Sequence, residues 1–137
     1  MTAVIDASAL VAYCLKEKGL DAEIVKEYLR SGALSVDLIK AESANAILVA
    51  KRRKLADDKT ARSALACVLE LCKNNIHLLP EDDELVSEAF EMADSNNAAI
   101  YDLLYLLVAK KTKSVLLSKD RNQIDLAKML GIRTEAI

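Results

Sequence analysis

Short runs of apolar and β-branched residues are spaced along the chain, and helical patterns fill the intervals between them. Runs of this length and composition predict β-strands. The predicted strands are Ala3–Asp6, Leu34–Val36, Ile76–Leu79, Ser114–Leu117 and Ile132–Thr134. Their nearly continuous apolar character is typical of strands that are buried on both faces of a sheet.

The intervals between these strands carry apolar residues at the three- and four-residue spacing of helices. The predicted helical stretches are Leu20–Leu29, Leu38–Arg53, Ala61–Leu71, Leu85–Ala93 and Tyr101–Lys110. Strands that alternate with helices indicate a parallel sheet covered by helices on both faces. We therefore predict an α/β fold, a three-layer α/β/α sandwich whose central parallel sheet has about five strands, with the first strand in the middle.

Composition and charge narrow the class of protein. The chain has 137 residues, of which 53% are hydrophobic and 29% charged, and this suits a single globular domain over residues 1–137. The net charge of −2 argues against a protein that grips nucleic acid by bulk positive charge. An apolar run of roughly 20 residues, as a membrane span requires, is missing, and so is a signal segment. We expect a cytoplasmic protein with no membrane partner.

Cysteine and histidine offer little for catalysis. Cys14, Cys67 and Cys72 lie among apolar residues, and the five-residue spacing of the last two is not that of a zinc or redox motif. We interpret them as small buried hydrophobic residues. His77 is the single histidine, so zinc-protease and Ser-His-Asp chemistry are poorly supported.

Four acidic residues stand beside apolar runs: Asp6, Glu42, Asp102 and Asp120. Asp6 and Asp120 lie at or just past the carboxyl ends of predicted strands, where parallel-sheet proteins bind ligands. Carboxylates lose hydration near apolar surface, and several that converge favour a hard divalent cation. Plainer roles are an N-cap for Asp6, a solvated helix residue for Glu42 and a turn residue for Asp120.

These segments, in this order, resemble the PIN-domain family, and most of all the small VapC-type toxins of VapBC toxin–antitoxin pairs. The resemblance covers essentially the whole chain. Two positions depart from the family pattern: Ser118, where threonine is common, and Leu103, where a smaller residue often follows the aspartate. The segments that carry the resemblance are Val4-Ile5-Asp6-Ala7-Ser8-Ala9-Leu10, Glu42 in a helix, Tyr101-Asp102-Leu103-Leu104-Tyr105-Leu106-Leu107-Val108-Ala109 and Leu116-Leu117-Ser118-Lys119-Asp120.

The resemblance implies a ribonuclease that cuts RNA with Mg²⁺ or Mn²⁺. It implies that Asp6 and Asp102 are the firmest metal ligands, and that Asp120 completes the site directly or through water. Glu42 would orient a metal-bound water or ligate a second ion. Whether one or two ions bind stays open.

The resemblance also implies supporting residues and partners. Ser8 and Ser118 would hold ligands or a phosphate oxygen by hydrogen bonds. The expected partners are an RNA substrate, a cognate antitoxin protein and a second copy of the chain. The apolar helical residues available to a homodimer include Leu20, Ile24, Leu29 and Val49.

Several residues around the acids have two interpretations. Tyr101 and Tyr105 are four apart on one side of a helix, and core packing is favoured over base stacking for both. The basic run 51–54 is favoured as a solvated helix end over a phosphate-contacting rim. Lys119 and Arg121 flank Asp120 and are within reach of a phosphate.

Three other functions compete with the metal-dependent nuclease. One is a catalytically silent PIN scaffold that binds RNA or a protein partner, although all four acids are intact. A phosphatase with a nucleophilic aspartate would need a second aspartate two residues after Asp6, where the chain has Ser8. A receiver domain would need an acidic pair near the first strand, and that pair is missing.

Overall fold

The computed structural model describes residues 2–137, which form a four-stranded parallel sheet and seven helices. The strands are β1 (Ala3–Ile5), β2 (Ala33–Val36), β3 (Ile76–Leu79) and β4 (Val115–Leu117). The helices are α1 (Ala7–Cys14), α2 (Ala22–Ser31), α3 (Leu38–Arg52), α4 (Asp58–Asn74), α5 (Asp83–Asn96), α6 (Ile100–Thr112) and α7 (Arg121–Met129).

The strand order is β3-β2-β1-β4, with all neighbours parallel. The prediction of a three-layer α/β/α sandwich with the first strand inside the sheet is thereby confirmed. The sheet has four strands rather than about five, because the predicted strand Ile132–Thr134 contributes only a bridge between Thr134 and Leu116. Leu116 bonds to the backbone of Arg133 and Glu135 on either side of that bridge, and pairing extends no further.

Apolar side chains fill the layers on both faces of the sheet. Residues Ala3–Ile5 of β1 are fully buried, and residues 103–109 of α6 are all buried. On one side α1, α3 and α4 pack together, and α6 packs with α5 and against β1, β2 and β4. This burial fixes where β1, β4 and α6 sit, and therefore where the residues at their ends meet.

Among residues 2–137, no helix is both long enough and apolar enough to cross a membrane.

Candidate functional site

The carboxyl ends of β1 and β4 lie side by side and carry two of the predicted site residues. Ile5 pairs with Leu117, and the backbone N–H of Asp6 donates to the Leu117 carbonyl at 3.1 Å. Asp6 is buried, and its Oδ1 accepts from the Ala9 N–H at 3.0 Å and from Ser8 Oγ at 2.7 Å. Asp6 is therefore the N-cap of α1, and its carboxylate is fixed at the edge of the sheet.

Ser8 and Ser118 join the turn after β1 to the turn after β4. Their hydroxyl oxygens are 3.2 Å apart. Ser8 Oγ accepts from the Lys119 N–H at 2.8 Å, and Ser118 Oγ accepts from the Asp120 N–H at 3.1 Å. Both predicted supporting residues thus hold the backbone that carries Asp6 and Asp120.

Asp120 and Asp102 are brought together by the starts of α7 and α6. Asp120 is the N-cap of α7, and its Oδ1 accepts from the N–H groups of Asn122 at 2.9 Å and Gln123 at 3.4 Å. Asp102 lies in the first turn of α6. The side chain of Gln123 donates from Nε2 to the backbone carbonyl of Asp102 at 3.1 Å. Sequence reasoning misses this link between the two acids.

Glu42 projects from α3 toward the same edge and is held by a buried tyrosine. Tyr105, which is 1% exposed, donates its hydroxyl to Glu42 Oε1 at 3.1 Å. Burial raises the pKa of Tyr105, and the charge of Glu42 raises it further, so the hydroxyl keeps its proton. The amino end of α3 is fixed by Glu81, whose Oε1 accepts from the Leu38 N–H at 2.8 Å.

The four carboxyl groups influence one another, and we call them the acidic cluster: Asp6, Glu42, Asp102 and Asp120. Burial raises the pKa of Asp6, the nearby Ser118 hydroxyl and the hydrogen bonds from Ser8 and Ala9 oppose this, and the charge of Asp120 adds to it. Burial and then Asp120 raise the pKa of Asp102. Burial raises the pKa of Glu42, the Tyr105 bond opposes it, and Asp102 and Asp6 add to it.

The acidic cluster suits a hard cation by its chemistry. None of its members belongs to an ion pair within residues 2–137, so its negative charge is uncompensated. Its donors are all carboxylate oxygens, which Mg²⁺ and Mn²⁺ prefer. In the described part of the chain, no three Asp, Glu, His or Cys side chains stand in an arrangement that would hold a metal ion. Like charges repel, so ligation would need the carboxylates to turn toward a common point.

Among the residues that flank the acidic cluster, one tyrosine differs from its predicted burial and the other matches it. Tyr101 is 59% exposed, so core packing is wrong for it, whereas Tyr105 is buried as expected. Lys51 pairs with Asp58 at 2.7 Å, and Arg121 pairs with Asp125 at 3.3 Å, consistent with solvated helix residues.

Other predicted residues lie away from the cluster. Leu29 is 3% exposed and belongs to the core, so its assignment to a dimer surface is wrong. Cys14 and Cys72 are buried and Cys67 is partly buried, and all three are free thiols. His77 is exposed on β3, as expected of a surface histidine.

Comparison with known proteins gives a family and a fold. A family model described as PIN domain matches residues 3–129. A comparison with curated protein sequences found no match. The structure resembles VapC20 of Mycobacterium tuberculosis, described as a sarcin–ricin loop cleaving toxin, with a TM-score of 0.69, 14% identity and coverage of 98% of this chain and 99% of that one.

Two further structures are also similar. The protein PAE2754 from Pyrobaculum aerophilum matches with a TM-score of 0.67 and 21% identity over 96% of this chain and 90% of that one. A domain of a protein of unknown function from Methanocaldococcus jannaschii matches with a TM-score of 0.51 and 19% identity over 99% of this chain and 90% of that one. At these identities the likeness concerns the fold.

Proposed function

The chain belongs to the PIN domain family, and on that premise we propose that it is a Mg²⁺- or Mn²⁺-dependent endoribonuclease that acts as the toxin of a toxin–antitoxin pair. The observation that supports this most is the acidic cluster at the carboxyl edge of the sheet, where burial and neighbouring charges raise the pKa of Asp6, Glu42 and Asp102. The shared fold with VapC20, described as a toxin that cleaves an RNA loop, supports the choice of RNA and of a toxin.

Asp6, Asp102 and Asp120 are the residues that would hold the ion, with Glu42 beside them. Asp6 and Asp120 each use Oδ1 to cap a helix, which leaves Oδ2 as the natural ligand atom. Mg²⁺ or Mn²⁺, when bound, lowers the pKa of a water and offsets the charge of the scissile phosphate. With such an ion held by the carboxylates, a phosphodiester could approach an acidic surface that would otherwise repel it.

Glu42 is proposed to orient the attacking water and to act as its general base. Tyr105 donates to its Oε1, so Oε2 remains to accept a proton from the attacking water. Its pKa is raised by burial, which moves it toward the pH at which it exchanges protons most effectively. Ser8 and Ser118 keep the two turns in register, and their hydroxyls also suit a phosphate oxygen.

Exposed Tyr101 supplies an aromatic face beside Asp102. An unstacked base of single-stranded RNA can stack on such a side chain without sequence preference. We therefore assign Tyr101 to base stacking with the substrate, which was the alternative to core packing.

The proposed protein partners are a cognate antitoxin and a second copy of the chain, acting in the cytoplasm. The homodimer is supported by apolar side chains that remain exposed on α3, α4 and α5: Leu48, Leu69, Val86 and Phe90. A small gene that overlaps this one and encodes a DNA-binding protein would support the toxin–antitoxin assignment.

Cleavage of RNA by the purified protein tests the activity. Wild type should cut single-stranded RNA in Mg²⁺ or Mn²⁺ and stop in excess EDTA. Asp102→Asn, which removes charge and keeps shape, should lower the rate by orders of magnitude. Glu91→Gln makes the same chemical change at an exposed position in the middle of α5 and should keep full activity.

The alternative is a catalytically silent PIN scaffold that binds RNA or a protein. Retention of RNA on the protein without cleavage in any divalent cation would favour that scaffold. Cleavage that persists in EDTA, or in Asp102→Asn, would falsify the metal-nuclease proposal and implicate a contaminating or metal-independent nuclease.

A further inference from the structure

Gln123 is the one amide side chain of residues 2–137 that is buried without full hydrogen bonding. It is 2% exposed in the first turn of α7. Its Nε2 donates to the backbone carbonyl of Asp102 at 3.1 Å, while its Oε1 is buried and accepts no hydrogen bond. Buried polar atoms without a partner are costly for stability, so this amide requires an explanation.

Local helix capping does not explain it. Asp120-Arg121-Asn122-Gln123 has the pattern of a capping box, in which the Gln123 amide oxygen would accept from the Asp120 N–H. In the structure that N–H donates to Ser118 Oγ at 3.1 Å. The side chain of Gln123 is therefore released from capping and turned toward α6.

Fold stability does not explain it either. Asp102 lies inside α6, so its carbonyl keeps the helical hydrogen bond if the Gln123 amide is lost. An apolar side chain of similar size would therefore leave no acceptor unsatisfied and would remove the unpartnered Oε1, at little cost in stability. Buried polar atoms that lack a hydrogen-bond partner are expected mainly at functional sites. Gln123 is also the only described residue that bonds both to the Asp120 carboxylate, through its backbone N–H at 3.4 Å, and to the Asp102 backbone.

We propose that Gln123 is a positioning residue: it fixes the separation of Asp102 and Asp120 and thereby sets the affinity of the acidic cluster for a divalent cation. The inference rests on the proposed function. The bond ties the start of α7 to the start of α6, so its loss lets the two helix ends, and the acids they carry, move relative to each other. Hydrogen bonds that orient metal ligands in this way commonly change metal affinity by about 10- to 100-fold.

Mn²⁺ binding, measured on purified protein by electron paramagnetic resonance, tests the proposal without relying on activity. Gln123→Met removes the donor and keeps the length of the side chain, and Gln123→Leu is measured beside it in case one variant does not fold. The matched control is Asn75→Leu. Asn75 also donates an amide N–H to a backbone carbonyl, that of Leu29 at 3.1 Å, but lies just before β3 at the opposite edge of the sheet.

We expect Gln123→Met to bind Mn²⁺ at least about tenfold more weakly than wild type, and its half-saturating Mn²⁺ concentration for cleavage to rise in parallel. Its melting temperature in EDTA should stay equal to wild type or rise, whereas a merely structural bond would lower that temperature and leave the affinity unchanged. Asn75→Leu should bind Mn²⁺ within about twofold of wild type.

Four results overturn the inference: unchanged Mn²⁺ affinity in both Gln123 variants, equal weakening in Asn75→Leu, failure of both Gln123 variants to fold, or no Mn²⁺ binding by wild type. The first three leave the proposed nuclease standing if wild type still cuts RNA with Mn²⁺. The fourth, together with intact RNA, removes the proposed function as well.

Discussion

Asp102→Asn should make the metal-free protein more stable, although it should inactivate the proposed nuclease. The pKa of Asp102 is raised first by burial and then by the charge of Asp120, and no hydrogen bond opposes the shift. The ionised carboxylate is thus less favourable in the folded chain than in the unfolded one. Asparagine has nearly the same shape and carries no charge, so it relieves both penalties.

The size of the effect follows from the repulsion between Asp102 and Asp120, which the uncharged amide removes. Asp102 is only partly buried, so solvent screens this repulsion, and interactions between charges of this kind are worth at most about 1 kcal/mol of unfolding free energy. At about 2.1 cal/mol/K per residue for the entropy of unfolding, this raises the melting temperature of a 137-residue chain by at most about 3–4 °C.

In Mg²⁺ the wild type should have the higher melting temperature of the two proteins, the reverse of the order in EDTA. A ligand present at about 100 times its Kd stabilises the folded protein by about 2.7 kcal/mol, or about 9 °C on the same scale. Wild type should gain this and Asp102→Asn very little, so the two melting temperatures should cross between EDTA and Mg²⁺. Differential scanning fluorimetry at pH 7 measures both, with Glu91→Gln expected to follow wild type in each buffer.

Two results would refute this reasoning. If Asp102→Asn melts lower than wild type in EDTA, the carboxylate makes a stabilising contact that its raised pKa does not reveal. If Mg²⁺ stabilises both proteins equally, the ion binds elsewhere or without Asp102.

Three further predictions follow from the site. Tyr101→Ala should weaken binding of a non-cleavable single-stranded RNA by about 1–3 kcal/mol per lost stacking contact, measured by fluorescence polarisation. Leu55→Ala, which truncates an exposed apolar side chain after α3, should leave binding unchanged, and equal losses in the two variants would refute stacking. In EDTA the melting temperature should rise as the pH falls from 7 toward 5. The raised pKa values of Asp6 and Glu42 make the folded state bind more protons than the unfolded state in that window. A melting temperature that falls over this pH range would contradict the argument. Light scattering at micromolar concentration should give twice the 15.0 kDa mass of one chain, and a monomer would remove the homodimer.

The sequence predicts the sheet and most helices because their apolar patterns are clear, and it fails where the pattern carries no contrast. Six of the eight residues of α1 are buried, so this helix shows no polar face for periodicity to detect. Ile132–Thr134 has the composition of a strand, yet whether it pairs depends on how far the backbone after Gly131 runs beside β4, which composition does not encode.

The site divides in the same way. The residue types and their places after strands indicate the acids at the sheet edge, and the family resemblance adds Glu42 and Asp102. Spacing puts Tyr101 and Tyr105 on one side of α6, but only the packing around that helix leaves one exposed and buries the other against Glu42. The proposed role of Gln123 depends on the Asp120 N–H donating to Ser118 Oγ. The capping-box pattern predicts a different acceptor for that N–H, the Gln123 amide oxygen.

The capping bonds make the four acids unequal in what their loss would do to the protein. Asp6 and Asp120 each satisfy backbone N–H groups at the start of a helix, so their replacement by alanine costs about 0.5–2 kcal/mol of stability. Asp102 has no such duty, and Glu42 is held by a tyrosine rather than by a helix end. Substitutions at positions 102 and 42 should therefore abolish the proposed cleavage at little cost to the stability of the fold. A descendant that binds a partner without cleaving RNA should still retain the aspartates at positions 6 and 120, because they cap helices. The presence of these two aspartates alone would therefore be a poor marker of activity.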